Sequence, residues 1–155
     1  MGTRVGGPAD AVLLGRMLHA FNAEYGDHEP SAETIAALAR PQLESGEVAV
    51  VFTEEEVAGE PAGFAQLRFH LSLYSAGPDA TLEELWVRAP ARGAGLGREL
   101  LEAAMDLARR AGADRIELNT STDDTAARAL YSSAGFCNDE GGPGGPSMLY
   151  YERDL

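Results

Sequence analysis

The sequence predicts an α+β fold in which helices flank one mixed, mostly antiparallel central sheet. Three runs rich in Val, Phe, Leu and Trp follow one another and are separated by turn residues, as in an antiparallel meander. Helical periodicity precedes this meander and returns after it, where it alternates with short apolar strands. The chain has 155 residues and shows no internal repeat or long linker, so we expect one domain over residues 1–155.

The first predicted helix lies in ADAVLLGRMLHAF. Asp10 is a suitable N-cap, because its side chain can accept a hydrogen bond from a backbone N–H of the first turn. Apolar side chains then recur at helical spacing, at Leu14, Met17, Leu18 and Phe21. This pattern indicates an amphipathic helix.

A second helix is predicted in SAETIAALARPQLESG, after the polar and aromatic loop NAEYGDHEP. Ser31 is its expected N-cap. A short apolar stripe runs through Ile35, Leu38 and Ala39. We expect Pro41 to break this helix, because proline lacks a backbone N–H, and Gly46 to end it.

The meander consists of the runs EVAVVFT, EPAGFAQLRFHL and ATLEELWV. The turn-forming segments EEEVAG and SAGPD separate them. After the third run the apolar period changes from that of a strand to that of a helix, and this helix is expected to end at Gly112. Its apolar face consists of Leu100, Leu101, Ala104, Leu107, Ala108 and Ala111.

The last part of the chain predicts a strand, a helix and a final strand. DRIELNT is read as the short strand, and DDTAARALYSSAGF as the helix, with Asp123 or Asp124 near its start and Gly135 as its stop. SMLYYERDL follows the loop GGPGGP and predicts the closing strand.

Composition argues against several classes of partner. The formal charge is −13, which repels a nucleic-acid phosphate backbone and attracts cations. All 12 basic residues are arginines, and a Walker A loop needs a lysine. Acidic, lysine-free composition can equally reflect codon bias and solubility, so charge alone does not identify a substrate.

The remaining residue types predict neither a metal site nor export. His19, His28 and His70 lack the spacing of metal ligands, so we expect no metal. The single Cys137 follows Gly135-Phe136, which favours a half-buried structural thiol over a nucleophile. No signal-peptide core and no membrane-spanning apolar run is present, and we expect a cytoplasmic protein without a membrane partner.

The stretch RGAGLGREL joins the third meander strand to the following helix. Gly93, Gly95 and Gly97 can adopt positive φ and let exposed amides converge with a helix N-terminus on an anion. The spacing G-x-G-x-G after an antiparallel strand differs from the G-x-G-x-x-G of a dinucleotide fold. A purely structural turn is the alternative interpretation.

Residues 82–136 resemble the acetyl-CoA-binding core of the GNAT superfamily of N-acetyltransferases. The family motif, Arg or Gln followed by x-x-G-x-Gly or Ala, is similar to Arg92, Gly95 and Gly97. A helix with Ala-Leu-Tyr that ends in Gly-Phe matches Ala129, Leu130, Tyr131, Gly135 and Phe136. The order of elements over the whole chain, including the closing strand, suits the same fold.

The resemblance implies acetyl-CoA as the acyl donor. Amides of residues 93–98 would bind its pyrophosphate, and the strand before the loop would pair with its pantetheine arm through the backbone of Leu85 and Val87. In the family a bulge splays the central strands and leaves a backbone N–H to stabilise the oxyanion. Asp124 stands where the family often has Asn, which puts that contact in doubt. The candidate donor-binding residues are Leu85, Trp86, Val87, Arg92, Gly93, Ala94, Gly95, Leu96, Gly97, Arg98, Asn119, Asp124 and Ala127.

Two adjacent acids interrupt the strand TLEELWV. Neighbouring strand residues face opposite sides, so Glu83 or Glu84 should point inward unless a bulge intervenes, and a buried carboxylate suggests a task. A solvated face or a structural ion pair is the alternative. LEELWV is similar to the LED-F-F-V pattern of polyamine-type acetyltransferases, which implies Glu83 as the base and Glu84 as substrate ligand or substitute base. The same resemblance implies Tyr131 as the general acid for the leaving thiolate; a packing role is its alternative.

The acceptor is expected to be a primary amine attacked directly in a ternary complex. In the family, the loop between the first two helices and neighbouring strands bind it, which gives the candidates Phe21, Glu24, Tyr25, Asp27 and Tyr74. Acidic and aromatic side chains suit a small cation such as a polyamine, an aminoglycoside or an arylalkylamine. Surface solvation explains the same residues equally well.

Two other functions stay open from the sequence. One is acetylation of protein N-termini or lysines, and the other is a sensor domain that binds acyl-CoA without turnover. The GGPGGP loop can either close over the site or contribute to a homodimer.

Overall fold

The computed structural model describes residues 2–155 and divides them into two units. The first unit ends at Leu118, and the second covers Asn119–Leu155. The prediction of one domain over the whole chain stays a prediction. Among the described residues, no helix is long and apolar enough to cross a membrane.

A five-stranded sheet forms the frame of the first unit. The strands in chain order are β1 (Thr3–Val5), β2 (Val48–Thr53), β3 (Glu56–Val57), β4 (Glu60–Pro61), β5 (Gly63–Leu71), β6 (Pro78–Val87) and β7 (Ile116–Leu118). The sheet has the order β1-β2-β5-β6-β7, with β7 parallel to β6 and all other neighbours antiparallel. The predicted meander and the short strand in DRIELNT are therefore confirmed.

Two short strand pairings were not predicted. β1 pairs with β2 from Thr3↔Thr53 to Val5↔Val51. A three-residue strand carries no periodic signal of its own, and it forms because β2 offers a free edge. β3, in the predicted turn EEEVAG, pairs with β4, at the start of the predicted run EPAGFAQLRFHL, as a small ribbon around Ala58 and Gly59, which both have positive φ.

The helices are α1 (Ala11–Glu24), α2 (Ala32–Ser45), α3 (Leu96–Arg110) and α4 (Thr125–Ser133). Asp10 occupies the N-cap position of α1 as predicted, but its carboxylate accepts hydrogen bonds from Arg4 and from Gly7 N rather than from the helix. The hydroxyl of Ser31 accepts a hydrogen bond from Thr34 N at 3.2 Å, which confirms the predicted cap of α2.

The prediction that Pro41 breaks the second helix is wrong. α2 continues through Pro41 and ends at Gly46, which has a φ of 79°. The missing proline N–H removes one hydrogen bond, and packing of α2 on α1 and β2 outweighs that loss. The predicted apolar stripe is also narrower, because Leu38 is 59% exposed while Ala39 is buried.

The sheet has helices on both faces. Alternate residues of β2, including Val50 and Phe52, join a core cluster with α1 and α2. The intervening Val51 is also buried and therefore belongs to the opposite face, and α3 is the other helix that packs on β2, β5 and β6. The close contact of α1 with α2 depends on Gly15, where a Cβ atom would lie 2.5 Å from the carbonyl oxygen of Ala32. These features confirm the predicted α+β layers.

In the second unit, α4 begins at the N-cap Asp124 and Gly135 follows it with a φ of 92°, both as predicted. The predicted closing strand in SMLYYERDL is wrong, since residues 148–155 form no strand. A strand needs a partner strand, and the pairing of this segment is limited to its start, where Ser147 forms an isolated bridge with Asp139 and Met148 N donates to Asn138 O. Cys137 is exposed rather than half-buried, because it lies in the irregular loop after α4.

Candidate active site

A β-bulge in β6 positions the two adjacent acids. Gln66 of β5 pairs with Glu84, and the next residue, Leu67, pairs with Leu82. Glu83 is therefore the extra residue of the bulge, as the resemblance implied for the central strands. The bulge breaks the alternation of side chains that a regular strand would impose on Glu83 and Glu84.

Glu83 belongs to a polar network across the sheet. Its Oε1 accepts hydrogen bonds from Gln66 Nε2 at 2.8 Å and from Arg68 Nε at 2.9 Å. Arg68 also donates to Gln42 Oε1 of α2 at 2.7 Å. One oxygen of Glu83 is thus engaged by two donors, one of them the cationic Arg68, so Glu83 is part of a structural ion pair.

Glu84 has a different electrostatic environment. Burial raises the pKa of its carboxyl to about 7, and the neighbouring negative charge of Glu83 adds to the increase. Glu84 pairs opposite Gln66, two residues along β6 from Trp86, and so shares the sheet face of α1 and α2 with Trp86. A carboxyl group that titrates near neutral pH can accept and release a proton under ordinary conditions.

Beyond the bulge, β6 keeps one backbone edge that β7 does not cover. β7 pairs with β6 only at Ala80, Thr81 and Leu82, whereas β5 pairs with β6 as far as Val87. Leu85 and Val87, the predicted backbone partners of pantetheine, lie in this uncovered segment. An extended ligand can add to such an edge as a further strand.

The side chain of Trp86 points into the core and is not available to bind the donor. It is buried in the core cluster, where its ring centroid lies 5.9 Å from that of Phe21 and 6.2 Å from that of Phe64. Only its backbone is suited to the predicted donor contact.

The glycine loop has the backbone geometry that an anion site needs. Gly93 and Gly95 have φ angles of 83° and 87°, which only glycine adopts without strain. The prediction of positive φ is wrong for Gly97, because this residue already lies in the first turn of α3. Gly95 is the N-cap of α3 and supplies no side-chain hydrogen bond to the first-turn amides. Residues 93–95 are exposed, while Leu96 anchors the start of α3 in the core. The exposed amides fit a pyrophosphate group.

Arg92 makes contacts that the sequence did not predict. Its Nε donates to Val87 O at 2.8 Å, and its Nη2 donates to both carboxylate oxygens of Glu24 at 2.6 and 2.8 Å. Trp86 Nε1 donates to Glu24 Oε2 at 2.6 Å. The hydrogen bond from Trp86 and the pair with Arg92 hold the pKa of Glu24 below its ordinary value, against an opposing effect of burial.

The other predicted acceptor residues lie partly together. Phe21 and Tyr25 meet edge to face at the end of α1, with ring centroids 5.5 Å apart, and Tyr25 is 71% exposed. Asp27 Oδ1 accepts a hydrogen bond from Glu29 N at 3.2 Å in the following loop. Tyr74 lies in the turn between β5 and β6 and is almost fully exposed.

Four of the predicted site residues belong to the second unit. Asp124 Oδ1 accepts a hydrogen bond from Ala127 N at 3.0 Å, so this aspartate caps α4. Asn119 is exposed, and Ala127 is half-buried. Tyr131 of α4 packs against Phe136, with ring centroids 5.9 Å apart.

Comparison with known proteins identifies the family. The sequence pattern of the family described as "Acetyltransferase (GNAT) family" matches residues 14–136. The uncharacterised N-acetyltransferase YhfO of Bacillus subtilis is 30% identical over 141 residues, which cover 91% of this chain and 93% of YhfO. A candidate acetyltransferase from Arthrobacter sp. FB24, known from its crystal structure, is 38% identical with a TM-score of 0.87, covering 100% of this chain and 96% of that one.

A third relative shares only part of its length. The mycothiol acetyltransferase of Beutenbergia cavernae is 44% identical over 62 residues, which cover 38% of this chain. This chain spans only 21% of that relative. Together with the bulge and the glycine loop, these matches show that the chain belongs to the GNAT family of acetyltransferases, whose acyl donor is acetyl-CoA.

Proposed function

We propose that this protein transfers the acetyl group of acetyl-CoA to the primary amine of a small cationic acceptor. One observation carries the proposal: the carboxyl of Glu84, with a pKa raised to about 7, lies at a bulge in β6 beside the uncovered edge of the same strand. A proton acceptor and a strand edge suited to the donor are therefore adjacent in one element.

Glu84 is the proposed general base. An amine of the lysine type has an ordinary pKa of about 10.4 and reaches the site as an ammonium ion, so it must lose a proton before it attacks. A carboxylate with a pKa near the working pH removes that proton effectively. The resemblance assigned this role to Glu83 first, but Gln66 and Arg68 engage that carboxylate, and we therefore prefer the alternative, Glu84.

The donor is proposed to bind along the edge of β6 and at the glycine loop. Acetyl-CoA supplies the activated acetyl group as a thioester. The backbone of Leu85 and Val87 would orient its arm, and amides of residues 93–98 would bind its pyrophosphate. Tyr131 is proposed to protonate the leaving thiolate; this role rests on the family resemblance.

Replacing Gly95 with Ala is expected to weaken donor binding. Alanine in the left-handed region costs about 1–2 kcal/mol, so the turn before α3 shifts and the melting temperature falls. The Kd for acetyl-CoA, measured by calorimetry, should rise about tenfold, which is roughly the loss of one charged hydrogen bond. Gly46→Ala is the matched control, because Gly46 has a φ of 79° at the end of α2. It should lower stability similarly while the Kd stays unchanged; an equal rise in both variants contradicts the donor role of the loop.

The acceptor is proposed to be a cation with an apolar body. Tyr25, at the end of α1, exposes an aromatic ring that packs edge to face on Phe21, and Asp27 lies in the loop that follows. The formal charge of −13 favours approach of cations over long range. These features support a polyamine, an aminoglycoside or an arylalkylamine, without choosing among them.

The test is acetyl-CoA-dependent thiol release with a panel of spermidine, an aminoglycoside, an arylalkylamine and basic peptides. Turnover with one of the small amines supports the proposal. Turnover with the peptides alone replaces it with protein acetylation. Tight binding of acetyl-CoA without thiol release for any acceptor favours the sensor function and contradicts an enzyme for these amines.

The proposal includes an oligomeric state and a cellular location. A homodimer is supported by the exposed apolar side chains of Met148, Leu149, Tyr150 and Tyr151, which would gain from being covered. A cytoplasmic location is supported by the lone Cys137, which has no partner for an internal disulfide.

A further inference from the structure

One carboxylate contacts both segments to which the donor site is assigned. Glu24, the last residue of α1, accepts from Trp86 Nε1 in β6 and from Arg92 Nη2 at the start of the glycine loop. Trp86 lies between Leu85 and Val87 on the uncovered edge of β6, and Arg92 immediately precedes Gly93.

The guanidinium of Arg92 is held from two sides. Nε donates to Val87 O at 2.8 Å, so the loop is tied back to the strand that precedes it. The pair with Glu24 fixes Nη2, and the guanidinium plane is thereby oriented rather than free to rotate. The side chains of Arg92 and Glu24 are 45% and 31% exposed, so the pair is partly shielded from solvent at the edge of the loop.

The tryptophan contact anchors the carboxylate in the core. Trp86 is 7% exposed and packs between Phe21 and Phe64, so its indole N–H has a fixed direction. A hydrogen bond from a rigid, buried donor holds the carboxylate in one place, and the carboxylate in turn holds Arg92. The chain of contacts therefore runs from the core through Glu24 to the glycine loop.

We propose that Glu24 is a positioning residue for the donor site, which keeps the glycine loop in register with the edge of β6 through Arg92 and Trp86. This inference rests on the proposed donor site and departs from the acceptor role that the sequence suggested for Glu24. Arg92 already balances the charge of this carboxylate, and Arg92 and Trp86 together donate three hydrogen bonds to it. The consequence of losing Glu24 is therefore a weaker affinity for acetyl-CoA, with the acceptor affected less.

The test compares the Kd of acetyl-CoA in the unmodified protein and in Glu24→Gln. Glutamine keeps an oxygen that can accept from Trp86 and removes the charge that holds Arg92. The expected result is a three- to tenfold rise in Kd, about the effect of one partly exposed, hydrogen-bonded ion pair. Trp86 is the only tryptophan of the chain, so its fluorescence follows the titration, and calorimetry provides an independent value.

A double-mutant cycle with Arg92→Gln separates positioning from general loss of stability. If Glu24 acts through Arg92, the double variant binds acetyl-CoA no worse than Arg92→Gln alone. Asp106→Asn is the matched control, because Asp106 forms an ion pair with Arg109 on the exposed face of α3. Its Kd should equal that of the unmodified protein.

Three outcomes overturn the proposal in distinguishable ways. An unchanged Kd in Glu24→Gln, even with a lower melting temperature, reduces Glu24 to a structural role. A raised KM for the amine with an unchanged Kd for acetyl-CoA returns Glu24 to the acceptor site. Failure of the unmodified protein to bind acetyl-CoA contradicts the donor site itself. The first and third outcomes are measured without knowing the acceptor, whereas the KM requires an amine that is turned over.

Discussion

Replacing Glu84 with Gln is expected to lower kcat/KM for the amine by about 10²- to 10⁴-fold at pH 8, the usual contribution of a general base. The amide has nearly the same shape as the carboxyl group but cannot accept the proton of the ammonium ion. The measurement is the initial rate of thiol release with the best acceptor of the panel. Because the loss concerns a step after binding, the Kd for acetyl-CoA should stay unchanged.

The pH profile identifies the base more sharply than the size of the loss. Burial, with a smaller contribution from the charge of Glu83, raises the pKa of Glu84 to about 7. The base must be ionised to act, so kcat/KM of the unmodified enzyme should fall as the pH decreases below about 7. In Glu84→Gln the break near pH 7 should be absent, and the residual activity should keep rising with pH above 7 because it follows the fraction of unprotonated amine.

Glu83→Gln is the matched control. It removes a neighbouring negative charge, so the pKa of Glu84 should decrease and the acidic limb should move to lower pH, while the activity at pH 8 falls less than in Glu84→Gln. Total loss in Glu83→Gln with activity retained in Glu84→Gln would instead restore Glu83 as the base.

Misfolding of Glu84→Gln can be excluded by its stability. A carboxyl group whose pKa is raised in the folded state destabilises the protein once it ionises, from the unfolded value of 4.5 upward through about 7. The glutamine variant should therefore melt at the same temperature as the unmodified protein near pH 4 and at an equal or higher temperature at pH 8.

Apart from the three-residue strand β7, the elements that the sequence predicted correctly are those with a longer periodic pattern. α3 and the meander strands carry enough apolar positions to define their period, and Ser31 and Gly46 mark helix ends by local hydrogen bonding and positive φ. β1 is too short to carry a period. The prediction at Pro41 was wrong for a different reason. Proline usually breaks a helix, but packing of α2 against α1 keeps this helix continuous.

The prediction of a strand in the closing segment was wrong for a related reason. The apolar and aromatic residues of SMLYYERDL have strand propensity, but a strand exists only where a second strand pairs with it. Propensity is read from the segment itself, whereas the partner depends on the rest of the fold. Composition could therefore not show that residues 148–155 lack strand pairing in this structure.

In the candidate site, too, the sequence predicted local motifs and missed contacts between distant residues. The glycine loop and the two acids are contiguous in sequence, so a motif could identify them. The pair between Glu24 and Arg92 joins residues 68 positions apart, and no local pattern encodes it. The bulge that distinguishes Glu83 from Glu84 depends on pairing with β5, so sequence alternation could not assign their roles. Many acidic residues could pair with one of several arginines, and only the folded structure shows that the partner of Glu24 is Arg92.

Replacing Tyr131 with Phe is expected to reduce kcat by about 10²-fold, the lower range of general acid catalysis. The change keeps the ring that packs on Phe136 and removes only the hydroxyl. The thiolate that leaves coenzyme A would then depart without a proton from the enzyme. The rate of a single turnover, with enzyme in excess over acetyl-CoA, measures this step separately from product release.

Tyr151→Phe is the control for this variant, because Tyr151 belongs to the same unit and is 84% exposed. Removing its hydroxyl should leave the single-turnover rate unchanged. If Tyr131→Phe also keeps this rate within about threefold, less than 1 kcal/mol of the barrier, its hydroxyl does not protonate the leaving group. Tyr131 would then act only in packing α4, and water would have to supply the proton. A loss confined to Tyr131→Phe, with the Kd for acetyl-CoA unchanged, instead assigns Tyr131 as the general acid for the leaving thiolate.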